Sequence, residues 1–391
     1  MNKALQRFLP IVFNSLRSVI TPAISILFSF IVVHYFSKQL WGEFVNILLF
    51  IYVATTISNW GNKDFLLRAF SKNPKDIISV WQSFLIARLP ILLVFIVLVF
   101  FIYSTFVFWL ILWLIAAYVF NSFSSVFIYK RDYVKAFSIE IVSFLVLILQ
   151  LFLYRENISL NLLIKSYSLH LVVKSILFIL SYKEFLKFKS FQLNFSLLVY
   201  SATFFLLSIA GFLQSKIDIY VFQFFSDDIT LGEYQIISGF FIFSQSITMI
   251  LVLPYVKNIY RMSYKSIIGI KKIISTIGFF LNSIIMVVIF LALKNLYDIH
   301  LSSTQLTLSF LIGYPCYIYS IDILTLFKKN KEIVVMKVSI IGLVINFVLS
   351  ICLLSYGYNI TGVLAANAIA QLFSLALYTQ KRKSIYLTVS N

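Results

Sequence analysis

The sequence predicts an all-α polytopic membrane protein, with about twelve transmembrane helices in two parallel bundles of roughly six. Three observations predict it. Apolar stretches, most of them longer than the ~18 residues that mark a bilayer-spanning helix, follow one another from end to end. Basic residues gather in alternate gaps between those stretches. A short residue frame that joins the first stretch to the second returns between the seventh and the eighth. Composition agrees: 61% of the 391 residues are hydrophobic and 12% are charged, against about 25% charged in a typical soluble domain.

The first half is expected to span at Pro10–Phe36, Trp41–Asn62, Ile77–Tyr103, Thr105–Tyr129, Tyr133–Tyr154 and Leu160–Tyr182. The second half is expected to span at Phe195–Phe225, Gly232–Val256, Ile273–Leu293, Ser303–Phe327, Ile333–Tyr356 and Ile360–Tyr378. Lys3 and Arg7 ahead of an oily run imitate a secretory signal. The run is too long and lacks a small-residue cleavage site, so it reads as the first helix.

The charges then set the orientation. Lys63, Arg68, Lys72 and Lys75 fill one gap, Lys130, Arg131 and Lys135 the next but one, and Lys183, Lys187 and Lys189 the next of that set. Lys257, Arg261, Lys265, Lys271 and Lys272, then Lys328, Lys329 and Lys331, continue it, and Lys381, Arg382 and Lys383 close the chain. The intervening gaps hold Lys38, Arg155 and Lys294 beside the acidic Glu43, Glu156, Asp227, Asp228, Glu233 and Asp298. By the positive-inside rule the basic gaps and both termini are cytoplasmic, and the number of spans is even. A net charge of +18 spread over separate gaps forms no single basic patch, which excludes a nucleic-acid partner. Cys316 and Cys352 sit in apolar runs, and His34, His170 and His300 are scattered, so neither a disulfide framework nor a metal site is expected. No glycine-rich phosphate loop follows a strand, so no ATPase is attached. No cofactor is expected, and coupling to H+ or Na+ is left open.

"FSKQLWGEF" (Phe36–Phe44) returns as "FSDDITLGEY" (Phe225–Tyr234). Each copy links the first and second helix of a half, which makes the halves a parallel repeat about an axis along the membrane normal. The expected organisation is an N-terminal bundle over 1–182, a basic cytoplasmic linker over 183–194, a C-terminal bundle over 195–380 and a basic tail over 381–391.

Several spans carry polar stripes at helical spacing. They are Asn14, Arg17, Thr21 and Ser25; Glu140, Ser143 and Tyr154; Tyr167, His170, Lys174 and Ser181; Ser208, Gly211, Ser215 and Asp218; and Asn367, Gln371, Ser374 and Tyr378. Ionisable groups within a bilayer turn toward protein or water, so such stripes read as lining a cleft; small and hydroxyl residues also serve plain helix packing. Lys216, two residues from Asp218 and on a different face, reads either as cleft-lining or as snorkelling to the headgroups from ~12–14 Å below the end of its span. Arg88 lies mid-span just before Pro90, where an arginine costs ~2.5–3.5 kcal/mol unless it meets water or an anion. Embedded cations (Arg17, Arg88, Lys165, Lys174, Lys216, Lys337) outnumber embedded acids (Glu140, Asp218, Asp322). A cationic cleft suits an anionic, phosphate-bearing cargo; the competing reading pairs the charges internally, as Lys174 with Glu140.

With "YFSKQLWGEF" and "NWGNKDFLLRAFSKNP" in the first half, and "KIDIYVFQFFSDDITLGEY" and "LPYVKNIYR" in the second, the chain resembles the polysaccharide-repeat-unit (O-antigen) flippases. These belong to the multidrug/oligosaccharidyl-lipid/polysaccharide exporter superfamily. The resemblance covers essentially the whole chain, by topology more than identity. It implies two helix bundles in a V, as in multidrug and toxic compound extrusion (MATE) transporters. It also implies movement of an undecaprenyl-diphosphate-linked oligosaccharide, an O-antigen or capsule repeat unit, across the membrane by alternating access. On that resemblance Arg17, Arg88, Lys174, Lys216 and His170 are expected to contact the diphosphate sugar, and Glu140 and Asp218 to bind a coupling ion. Membrane lipids, a polysaccharide polymerase and a chain-length regulator are the implied partners. The rivals are a MATE-type multidrug/cation antiporter, which would favour an acidic cleft, and a major-facilitator transporter, whose arginine cluster "GNKDFLLRAFSK" lacks. An O-antigen polymerase or glycosyltransferase would need a larger periplasmic loop than these short gaps supply.

Overall fold

The computed structural model describes residues 3–187, 194–259 and 261–387, all helical or in short connections. The side chain of Arg17, and residues 188–193 of the expected linker, lie outside the described residues. The first half contains α1 (Lys3–Tyr35), α2 (Lys38–Asn59), α3 (Asn62–Lys72), α4 (Ile77–Ile102), α5 (Val107–Ser122), α6 (Ser124–Lys130), α7 (Tyr133–Leu153) and α8 (Leu160–Ser181). The second contains α9 (Ser196–Gln223), α10 (Asp228–Ile259), α11 (Tyr264–Tyr297), α12 (Ser303–Lys328), α13 (Glu332–Ser355) and α14 (Asn359–Leu387). Among the described residues 11 helical segments are long and apolar enough to cross a membrane, with a shorter apolar stretch at Ile20–Tyr35 in α1. The chain is an all-α, multi-pass membrane protein.

Several elements differ from the sequence expectation. The basic gap after α2 folds as an amphipathic helix, α3, which buries Asn62, Leu66 and Phe70. The fourth span breaks at Phe123 into α5 and α6. At its start α11 extends to Tyr264, so Lys271 lies well inside the helix. The first residues of the expected basic tail likewise continue α14, where positive side chains suit a helix C-terminus.

The repeat is visible in the packing. In the first half α4 packs on α5, α5 on α8 and α7 on α8; in the second α11 packs on α12, α12 on α14 and α13 on α14. Counted as spans, third meets fourth, fourth meets sixth and fifth meets sixth in both. The chain divides into two compact units, residues 1–17 with 43–209 and residues 18–42 with 210–391. In the first, Trp81, Phe84, Phe123, Phe127, Phe178, Tyr182 and Phe185 form an aromatic core. In the second, Val252, Ile259, Ile267, Ile274, Tyr317 and Ile321 form one core, and Leu326, Val335, Val338 and Tyr378 another.

The two copies of the repeated frame each cap the helix that follows. Ser37 Oγ accepts the Leu40 N–H at 3.0 Å, and Asp227 Oδ1 accepts the Thr230 N–H at 2.9 Å. Aligning the caps puts Ser37 on Asp227 and Gly42 on Gly232, one residue out of step with the Phe-Ser match read from sequence. These glycines meet. A Cβ on Gly42 would lie 1.7 Å from the Asp228 carbonyl oxygen, and one on Gly232 3.1 Å from the Gly42 nitrogen. Lys38 completes the contact by donating to Glu233 Oε1 at 2.8 Å and to the Asp298 carbonyl at 3.0 Å.

Candidate functional site

Within the first unit, α7 and α8 place Glu140 and Lys174 face to face, with Nζ 2.6 Å from Oε2 and both side chains buried. Lys174 Nζ also sits 3.8 Å above the Phe120 ring of α5, a cation–π contact that further stabilises the charge. One turn away on α8, the His170 ring is buried 5.6 Å from Tyr167. Its Nδ1 has no hydrogen-bond partner among the described residues. Two expectations are revised here: Lys174 neutralises Glu140, and neither residue is accessible to a cargo.

Arg88 is corrected more fully. Its side chain is 0% exposed. Nη1 donates to the carbonyls of Ser58 (3.3 Å) and Asn59 (3.2 Å), Nη2 to Ser122 Oγ (2.8 Å), and Nε to the Phe84 carbonyl (3.3 Å). The guanidinium lies over the rings of Phe84 and Tyr118, at 5.1 and 4.9 Å. Ser58 and Asn59 end α2, so the charge rests on the negative pole of that helix, while the Ser122 hydroxyl ties it to the end of α5. No acid and no anionic cargo is needed to hold it. Arg88 braces α2, α4 and α5, a role invisible to a count of embedded charges.

In the second unit, Asp218 of α9 is 2% exposed. Its Oδ2 accepts from the Tyr234 hydroxyl at 2.6 Å and from Asn367 Nδ2 at 3.0 Å, and its Oδ1 from the Ile219 N–H at 2.9 Å. These hydrogen-bond donors are neutral. Asn367 Oδ1 is buried and without a hydrogen-bond partner among the described residues. The cluster therefore presents a carboxylate and an unused amide oxygen, both hard oxygen ligands.

Lys216 occupies a different environment on the same helix. Its side chain is partly buried, and Phe212 and Tyr220, one turn to either side on the same helix face, have rings 6.0 Å apart. Nearby Gly211 and Ser215 are exposed. Among the 11 candidate spans of the described residues, α9 is the least covered: 6% of its apolar window is buried, against 28% or more in the others. On α1, Thr21 is exposed and Ser25 half-exposed.

A further buried ionic cluster was only partly legible in the sequence. Asp322 of α12 is 0% exposed and takes Lys271 Nζ of α11 at 2.6 Å, Thr379 Oγ1 of α14 at 3.0 Å and Arg382 Nε of α14 at 2.8 Å. The sequence places Lys271 in a basic gap, because lysines at 265, 271 and 272 mask the apolar period of Ile267, Ile270 and Ile274 in the first turns of α11. Among the described residues no group of three metal-ligating side chains occurs.

No protein-family model matches the chain, and no curated protein matches it in sequence. Solved structures do match in fold. A structure described as the lipid II flippase MurJ in an inward closed conformation superposes with a TM-score of 0.71 at 14% identity, covering 95% of this chain and 87% of that one. An inward-facing multidrug resistance MATE family transporter of the MOP superfamily gives 0.61 at 13% identity, covering 94% and 96%. A Vibrio cholerae MATE transporter gives 0.56 at 15% identity, covering 97% and 96%. At these identities the likeness shows the fold, and the chain has the all-helical fold that this lipid II flippase and these MATE transporters share.

Proposed function

We propose that the chain is a flippase, a secondary transporter rather than an enzyme. Its cargo in this reading is an undecaprenyl-diphosphate-linked oligosaccharide, carried across the bacterial inner membrane with both termini cytoplasmic. The fold likeness to a lipid II flippase supports the lipid-linked class of cargo. The observation that carries the reading is α9, a helix with little protein cover on which Gly211 and Ser215 are exposed and Lys216, on an adjoining face, is partly exposed. A helix that met only lipid would gain nothing from such residues. An ammonium there attracts phosphate oxygens, and the small neighbours leave room for a sugar. The prenyl tail stays in lipid while the headgroup follows the polar face, and a polymerase and a chain-length regulator act downstream.

Asp218 serves as the coupling-ion site. An acid held by neutral donors, beside an unused amide oxygen, can take up H+ or Na+ with little rearrangement. Glu140, locked to Lys174 at 2.6 Å, is the weaker of the two carboxylate candidates, because breaking a buried pair costs about 3–5 kcal/mol.

A MATE-type multidrug/cation antiporter is the second reading. It is favoured by a specific observation: Arg88 and Lys174 are spent on internal contacts, which lowers the accessible positive charge. The test is substitution of Lys216 in cells whose surface polysaccharide depends on this chain. Lys216→Gln should abolish the polysaccharide and Lys216→Arg should retain it, with both proteins present in the membrane. Normal polysaccharide with Lys216→Gln, or drug sensitivity in place of a polysaccharide defect, moves the function to the antiporter.

A further inference from the structure

Helices α11 and α14 both pack on α12, and between them lies a cleft of about 540 Å³. Its lining changes character along α14. Leu372 and Leu375, with Ile318 of α12, make one part apolar; Thr379 and Lys383, with Lys271 of α11, make the other polar. From Leu372 to Lys383 a helix rises ~17 Å at ~1.5 Å per residue, enough to pass from hydrocarbon to headgroups. The polar part lies near Lys381, Arg382 and Lys383 in the last turns of α14, on the basic side of the membrane.

Charge at this end is unbalanced. Asp322 takes both Lys271 and Arg382, and Lys383 adds a third cation near a single carboxylate. Arg382 is 6% exposed, yet its Nη1 has no hydrogen-bond partner among the described residues. A buried guanidinium donor without an acceptor is costly in a protein interior, and it stands one carboxylate away from the cleft lining.

We propose that this cleft binds an anionic phospholipid from the leaflet on the basic side, with an acyl chain against Ile318, Leu372 and Leu375 and the phosphate facing Lys271 and Lys383. Basic pockets between transmembrane helices on that side of a membrane suit anionic headgroups, and the apolar part of the lining distinguishes a lipid from a free phosphate ion. The site is separate from Lys216 and Asp218 and stands whatever the transported cargo.

The test uses the full chain, purified in detergent and offered phosphatidylglycerol, phosphatidylethanolamine or inorganic phosphate, with retained lipid read by native mass spectrometry and thermal stability read alongside. Phosphatidylglycerol should be retained over phosphatidylethanolamine and should raise the melting temperature, whereas inorganic phosphate should not. Lys383→Glu, at an exposed position, should lower phosphatidylglycerol retention by about fivefold or more, the size expected for one lysine at a lipid surface. Ala376, an exposed residue of the same cleft lining, gives the second variant: Ala376→Phe should lower retention by filling the cleft while leaving the lipid-free melting temperature unchanged. Equal retention of both lipids, equal stabilisation by inorganic phosphate, or wild-type retention in both variants would overturn the proposal.

Discussion

The ammonium of Lys174 lies 2.6 Å from the carboxylate of Glu140, with both side chains removed from solvent. Removing one partner strands the other, at a cost of about 3–5 kcal/mol, whereas replacing both with apolar residues is often neutral. Glu140→Gln and Lys174→Met should each lower the thermal stability of the purified protein. The double variant Glu140→Leu/Lys174→Met should recover most of it, and with it polysaccharide export. A stable double variant that cannot export would give this pair a role in handling cargo instead.

Arg88 should behave as a structural residue. Arg88→Ala removes four donated hydrogen bonds and leaves the carbonyl end of α2 and the Ser122 hydroxyl of α5 without their cationic donor. The expected loss is about 3–5 kcal/mol, by analogy with breaking a buried charged pair. The folded yield should fall, and export per folded molecule should change little. Arg88→Lys should rescue only in part, because an ammonium lacks the planar fork that reaches two helix ends at once. Detergent-solubilised yield measured beside export separates the two effects.

Gly42 admits no side chain. Its Cβ would lie 1.7 Å from the Asp228 carbonyl oxygen, so Gly42→Val must push α2 away from α10. Overpacking of this kind costs roughly 1–3 kcal/mol or more. Gly232→Ala, whose Cβ would stand 3.1 Å from the Gly42 nitrogen, should cost less. Melting temperatures should fall in the order wild type, Gly232→Ala, Gly42→Val, and the reverse order of the two variants would contradict the observed close approach.

Asp227 ties this region to pH. Its hydrogen bonds to Thr230 hold the carboxyl below the usual carboxylate range. A carboxyl so depressed contributes stability that is present above its unfolded value of about 3.9 and is lost as pH falls through the lower folded value. Asp227→Asn keeps a cap that does not titrate, so its melting temperature should depend less on pH below about 4. An identical acid limb in the variant and the wild type would remove Asp227 from the acid response.

Asp218 and Glu140 should separate in ion dependence. Asp218→Asn should abolish the dependence of transport on a H+ or Na+ gradient, because the substituted side chain cannot change charge. Glu140→Gln should lower stability and leave the ion dependence of the remaining folded protein intact. Gradient-dependent transport in Asp218→Asn would exclude it as the coupling site.

Much of the fold was legible because lipid allows backbone polar groups few ways to be satisfied. Long apolar runs and alternating basic gaps located the spans; α3 escaped because its apolar period of Leu66 and Phe70 is short and lies among lysines. The site was harder to read. Depth and charge marked Arg88 correctly as embedded, but three of its acceptors are backbone carbonyls, of Ser58, Asn59 and Phe84, which carry no residue signature, and the fourth is the Ser122 hydroxyl. The Lys174–Glu140 pair was available from helical spacing as a competing reading, and packing of α7 on α8 realised it. Asn367 and Asp218 stood on separate polar stripes, yet nothing in the sequence said that α14 would bring that amide to α9. The one-residue offset between the repeated frames also needed coordinates, because the cap of α2 is a serine and that of α10 an aspartate.

The most direct measurement is translocation by the full chain reconstituted in vesicles loaded with a fluorescent undecaprenyl-diphosphate-linked oligosaccharide, read as labelled headgroup passing to the opposite leaflet. The flippase reading predicts translocation that requires the protein, persists with Lys216→Arg and is lost with Lys216→Gln. Headgroups that stay in their original leaflet, in vesicles where the same protein exchanges a cationic drug for H+ or Na+, would contradict it.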